Sequence, residues 1–410
     1  MRDVEGAVAE ALEPVCAALS PGSSVAVTAG SRGIAGLQTI YRAVGRVLTE
    51  AGGRPFLVAA MGSHGNGTAT GRRGVLASLG LREETVGMRI VSTDDLVEIG
   101  KLAHGPVMIA RAAVEADHIL AVNRVKPHTD FHGTIESGLA KILAIGLGNQ
   151  PGAAAVHGGG PEQMTSTIVA ISDMLIGSGK VIGGLGVLEN SQHEVAQLTF
   201  VPPAGIGHGA ESELLEQARA TMGMLPFDDL DVLVISEIGK EISGAGADPN
   251  VIGRMRIEGT REPDIPRIAV LVALGLSEAT AGNGFGLGLA DLTTLRAIGQ
   301  LDLEKTYLNA LTAGRGGIRR AALPIALATD RDAICAALAA CGERRVEHRR
   351  LACIKSTIAL SELLVSESLR DEVEANPCLE LVHEPGPMSF SADGSLTSWN
   401  DVASRSPSKH

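Results

Sequence analysis

Met61-Gly62-Ser63-His64-Gly65-Asn66-Gly67-Thr68 places an imidazole among glycines and small polar residues directly after the apolar run RPFLVAA. Packed histidines rarely have such neighbours, and imidazole is the side chain whose pKa lies nearest neutrality, so proton transfer to a ligand is the expected chemistry. Arg124-Val125-Lys126-Pro127-His128-Thr129-Asp130-Phe131-His132-Gly133, after ADHILAVN, gathers two histidines, two bases and an acid in one loop. A helical stretch carrying Glu136 and Lys141 among apolar residues is expected next. Two histidines facing one substrate carbon could serve as acid and base on opposite sides.

Ala29-Gly30-Ser31-Arg32-Gly33 follows SSVAVT and is expected to set a guanidinium beside free backbone N–H groups at a helix start, a place suited to a carboxylate or phosphate. A helix-entry turn with a surface arginine fits the same residues. His157, in AAAVHGGG, reads either as a loop or capping histidine or, being close to the Lys141 stretch, as part of the same site. His104, His118, His193, His208, His348 and His383 lie in polar turns, a glycine loop or charged surroundings and are assigned structural or solvated roles.

These loops need a rigid frame, and the chain supplies one. Short apolar runs alternate with segments of helical period: SSVAVTAG then IAGLQTIYRAVGRVLTEAGG, RPFLVAAMG then GTATGRRGVLASLG, ADHILAVN then IESGLAKILAIGLG. Strands separated by helices predict largely parallel sheets covered on both faces, with ligands beyond the carboxyl ends of the strands. RIAVLVAL, DLTTLRAIGQL, DRDAICAALAACG, RRLACIKS and IALSELLVSESLRDEVEA repeat the alternation, so the chain is read as two α/β domains with an interdomain active-site cleft. The junction is placed at residues 222/223 after the helix ESELLEQARATMG, giving domains 1–222 and 223–395 and a disordered tail over 396–410. Lys240, in Gly239-Lys240-Glu241-Ile242-Ser243-Gly244, could reach a substrate across the cleft or be an ordinary surface lysine.

Composition narrows the partners. Only 2% of residues are aromatic and the net charge is -12, with no run of Lys or Arg longer than two. Base stacking and the electrostatic footprint for nucleic acid are therefore missing. No Walker GxxxxGK[ST] occurs, and no G-x-G-x-x-G follows a first strand; GFGLGLAD lacks the helix-opening context. Five cysteines without CxxC spacing argue against a disulfide framework or structural zinc and read as reduced, mostly buried thiols. The acidic amino terminus is unlike a secretory leader and no apolar stretch approaches the roughly 20 residues of a membrane span, so a cytoplasmic protein without membrane partners is expected. No heptad marks an oligomer interface; a homo-oligomer is left open.

The GSHG and VNRVKPHTDFHG segments resemble those of the nickel-dependent lactate racemase superfamily, clearly over about residues 25 to 200 and loosely beyond. The resemblance implies an isomerase, a racemase or epimerase of a small 2-hydroxy acid, using a nickel-pincer nucleotide that accepts and returns a hydride. By that resemblance Lys141 matches the covalent tether, His157 the nickel ligand, and Ser31, Gly62 and Ser63 further cofactor contacts. His64 and His128 match the acid/base pair, and Arg32 the arginine that binds the substrate carboxylate. Ala29 and Gly30 stand where lactate racemase has an acidic residue ahead of that arginine, and the interval from His128 to Lys141 is longer. Two other readings keep the same residues: a hydratase or hydrolase using a simple divalent metal, and a non-catalytic binder of a nucleotide or phosphorylated metabolite.

Overall fold

A computed structural model describes residues 1–103, 105–158, 160–342, 345–384 and 386–397, apart from the side chains of His157, Pro161 and Arg315. Two compact units divide it, Met1–Met222 and Gly223–His410. Both are α/β.

In the first unit, strands β1 (Ser24–Ala29), β2 (Arg54–Ala59), β3 (Arg89–Val91), β6 (His118–Arg124), β7 (Val181–Glu189) and β8 (Val195–Val201) form one sheet in the order β3-β2-β1-β6-β7-β8. All neighbours run parallel except β8, which returns antiparallel to β7. β4 (Leu96–Leu102) and β5 (Gly105–Ala110) make a separate antiparallel hairpin. Alternation along each strand divides the core: Val25, Val27, Leu57, Ala59, Leu120 and Val122 pack with helices Val4–Ala18 and Leu37–Glu50. Ala26, Phe56, Val58, Ile119 and Ala121 pack instead with the segment Leu139–Leu147 and helix Pro161–Gly177. A sheet buried on both faces explains why these strands read as continuous apolar runs. The chain moves outward from β1 through β2 to β3 and then crosses back to β6, so the order reverses between β1 and β6. In sheets of this kind the crevice beyond the carboxyl ends at that reversal receives ligands.

The second unit repeats the plan with β9 (Asp229–Ile235), β10 (Arg267–Ala273), β11 (Leu292–Thr294), β12 (Ile325–Leu327), β13 (Leu351–Ile354) and β14 (Leu364–Val365) in the order β12-β11-β10-β9-β13-β14. Again only the last strand is antiparallel.

Two expectations change. Leu396 and Thr397, assigned to a disordered tail, are tied down: the Leu396 N–H donates to Asp330 and the Thr397 N–H to the Ser389 carbonyl. The rest of that segment, 398–410, lies outside the described residues. Of the five free thiols only Cys353 is buried; Cys335 and Cys378 are exposed. Among the described residues no helix is long and apolar enough to cross a membrane.

Candidate functional site

Three loops leave the carboxyl ends of β1, β2 and β6, neighbours in the sheet on both sides of the reversal. The β1 loop carries Ser31 and Arg32, the β2 loop Gly62, Ser63 and His64, and the β6 loop Lys126, His128 and Asp130. Side chains join them. His64 Nδ1 lies 2.8 Å from Ser31 Oγ and 2.9 Å from the Met61 carbonyl oxygen. The His128 ring lies 4.4 Å from that of Phe131, and Lys141 Nζ sits 5.6 Å from the centre of the same Phe131 ring. Arg32 feels the charges of Arg124 and Asp130, and Lys141 feels those of Asp130, Arg32, Glu136 and Lys126.

Lys141 holds the most altered of these groups. Its side chain keeps some contact with solvent, but the protein packed around it pushes the ammonium down to about 8 from the ordinary 10.5. Asp130 and Glu136 oppose that shift, and Arg32 and Lys126 reinforce it. An appreciable share of neutral, nucleophilic amine is therefore present near neutrality. Acylation of Lys141 by an amine-reactive reagent, followed by peptide mass spectrometry across a pH series, should show a midpoint near 8; a midpoint at the ordinary lysine value would refute the enclosure. Arg32 is solvent-exposed, and crowding by the surrounding protein lowers its pKa, aided by Arg124, yet the guanidinium stays charged at any ordinary pH.

The helix expected to carry both Glu136 and Lys141 starts later, at Leu139. Glu136, 1% exposed, precedes it as the hub of the β6 loop. Its carboxylate accepts the backbone N–H groups of His128 and Gly133, approaches His132 Nδ1 at 3.3 Å, and pairs with Arg219. Burial raises its pKa, but these donors and the guanidinium outweigh burial and hold it below the ordinary range. After Lys141 the backbone widens to one π turn over Ile142–Gly146, closed by the Leu147 N–H donating to the Ile142 carbonyl at 2.9 Å. Such turns recur at functional sites. This one packs on the β2 loop, where the Gly62 N–H meets the Gly146 carbonyl at 3.3 Å. Gly62 has φ +58°, and a Cβ there would stand 3.0 Å from Ile145, so glycine is needed for close approach as well as for its backbone angle.

Arg32 lies away from a helix start, since the following helix begins only at Leu37. The Ala35 N–H is taken by Glu189 at 2.7 Å, and Glu189 also pairs with Arg124. Glu189 ends β7 and thus braces the β1 and β6 loops together. Glu211 does the same for Lys141: buried, it accepts the N–H groups of Leu139, Ala140 and Gly207, and burial raises its pKa against those donors. Glu211→Gln would turn an amide NH2 toward one of these donors, at a cost of about 1–3 kcal/mol. Thermal denaturation should show the loss, and an unchanged midpoint would contradict this brace. Glu189 was within reach of the rule that polar residues ending apolar runs line sites; Glu211 and Arg219 carried no comparable signal.

His157 closes helix Asn149–His157, and its side chain lies outside the described residues. His104 is outside them altogether. Ser63 is exposed beside His64. Lys240 is engaged within its own unit, donating to the Gly244 carbonyl at 2.7 Å with Nζ 4.1 Å from the centre of the Phe285 ring. Among the described residues no three His, Cys, Asp or Glu side chains cluster as a metal-binding group. A cavity of about 990 Å³ in the second unit lies by contrast at the amino ends of β9 and β10, lined by Asp229, Arg254, Arg267, Arg350 and Glu372. Arg267 pairs there with Asp229, Arg350 with Glu372 and Arg254 with Asp291, and the lining has no histidine or lysine.

The first unit is thus a doubly wound α/β domain whose reactive side chains meet at the reversal point of its sheet. Residues 12–164 match the family model of the lactate racemase N-terminal domain. Among solved structures the chain is similar to a Thermotoga maritima protein, with 14% identity, 77% of this chain and 81% of that one covered and a TM-score of 0.49. It is also similar to the lactate racemase apoprotein of Thermoanaerobacterium thermosaccharolyticum, with 15% identity, 78% and 77% covered and a TM-score of 0.47. No curated protein matches the chain.

Proposed function

We propose that the protein is a racemase or epimerase of a small 2-hydroxy acid, working with a nickel-pincer nucleotide. The observation that carries this reading is the enclosed amine of Lys141, with a pKa near 8, among Arg32, Lys126, Asp130 and Glu136 in a domain matching that of lactate racemase. A nucleophilic amine beside cationic groups fits the covalent attachment and charge of a nucleotide cofactor, which Lys141 would tether, Ser31, Gly62 and Ser63 would line and His157 would ligate through its metal. The cofactor, when bound, supplies the acceptor for the substrate's hydride.

The remaining work falls to the chain. Arg32 offers a planar pair of donors to the substrate carboxylate and thereby orients the hydroxyl-bearing carbon. His64 and His128 lie on the loops after β2 and β6, which flank the β1 loop, and would handle the hydroxyl proton that must leave and return. General acid–base groups of this kind contribute about 10²–10⁴-fold. Intact mass measurement after co-expression with cofactor-making enzymes should show an added mass on the wild-type chain that Lys141→Ala loses. An unmodified wild-type chain would overturn the reading.

A further inference from the structure

In the second unit, large apolar side chains stand on the surface where small ones are turned inward. Helix Leu303–Thr312 buries Thr306 and Ala310 but leaves Leu303, Tyr307, Leu308 and Leu311 between 44% and 72% exposed. The short helix Arg315–Ile318 and the turn Arg319–Ala321 pack against it and bring Ile318, 62% exposed. The chain then passes exposed Leu323 into β12, whose Ile325 is 68% exposed. More than half of the large apolar side chains exposed among the described residues fall within residues 295–325. They leave on the order of 800 Å² accessible, above the roughly 300–600 Å² of an ordinary monomer's largest patch and about what each partner of a standard interface buries.

β12 is also an edge strand, paired in the sheet only with β11. Ile325 gives its N–H to the Asp291 carbonyl at 3.2 Å, so the alternation of a strand turns the N–H and carbonyl of Ala326 outward. We propose that this face is where two copies of the chain meet. A two-fold axis at Ala326 sets the two β12 edges antiparallel, and each Ala326 then donates its N–H to the other's carbonyl. The apolar side chains beside the edge leave water on both copies. An identical edge supplies both the strand and the apolar surface to match, so the contact closes with two chains and recruits no third. Charge permits it: the chain's net charge of -12 opposes self-association, yet helix Leu303–Thr312 carries one glutamate and one lysine and is locally neutral. This surface does not rest on the hydroxy-acid reading.

Sedimentation velocity and light scattering of the full chain at tens of micromolar should give twice its 42.2 kDa mass. Leu311→Lys on the helix and Ile325→Lys on the strand should each weaken the dimer by about tenfold or more, since an apolar contact is lost and a charge is buried without a partner. Val346→Lys alters a side chain that is 64% exposed and precedes β13, at the other end of the strand order, and should leave the dimer intact. In the wild-type dimer the Ala326 amide, which faces away from β11, should be protected from hydrogen exchange; that reading needs no substitution. A wild-type chain of single mass, a dimer that survives either Leu311→Lys or Ile325→Lys, one that Val346→Lys also dissociates, or a freely exchanging Ala326 amide would overturn the proposal.

Discussion

Replacing His64 with alanine is expected to lower hydroxy-acid turnover by roughly 10²–10⁴-fold, the contribution of a positioned base. On the proposed reading the loss should fall on kcat, because the imidazole would meet the hydroxyl proton while the Arg32 guanidinium would hold the carboxylate. The fold should be untouched: His64 is exposed, and its contacts with the Ser31 hydroxyl and the Met61 carbonyl are ones that water can satisfy. The cofactor adduct on Lys141 should also persist. Racemisation of a panel of small 2-hydroxy acids, followed by chiral chromatography for both enantiomers, checks this. A variant as active as the parent would remove His64 from the chemistry.

Glu136→Gln should destabilise the first unit more than Glu211→Gln does. It deprives Arg219 of its buried partner and turns an amide NH2 toward the N–H of His128 or Gly133. Breaking a buried pair costs about 3–5 kcal/mol, reduced here to about 2–4 because Arg219 is 34% exposed and also meets Glu216. For a domain of this size that is roughly 4–16 °C in melting temperature. The pH dependence has a definite sign. The folded pKa of Glu136 lies below its ordinary 4.5, so its stabilisation is full above that value and is lost as pH falls through the folded one. The gap between wild type and Glu136→Gln should therefore close on acidification below about pH 4.5 and stay open at neutrality. Melting curves from pH 3 to 7 with a constant gap would show that the carboxylate charge is not what holds the loop.

Strands β1, β2 and β6 were legible because short apolar runs bounded by glycine or polar turns and alternating with helical segments fit strands buried on both faces, whereas β3, β7 and β8 of the same sheet were not singled out. His64, Arg32 and His128 were legible because they follow those runs directly, where the fold opens. Glu211 and Arg219 were not, since they act across 72 and 83 residues of sequence and look like ordinary positions of a charged helix. The helix expected at Arg32 begins at Leu37 because Glu189, far along the chain, claims the Ala35 N–H. The π turn left no trace in the pattern, since a single wide turn among Ile, Leu and Ala keeps every position apolar.

That wide turn also takes up a residue without changing phase. An α-helix completes a turn in about 3.6 residues, and the turn closed from Ile142 to Leu147 uses about one more, so the residues on either side keep the faces they would show without it. The phase set there ends at Asn149, whose φ of +50° bends the chain before the helix that closes at His157, so two separate bends, and not one continuous helix, fix the spacing between residues 141 and 157.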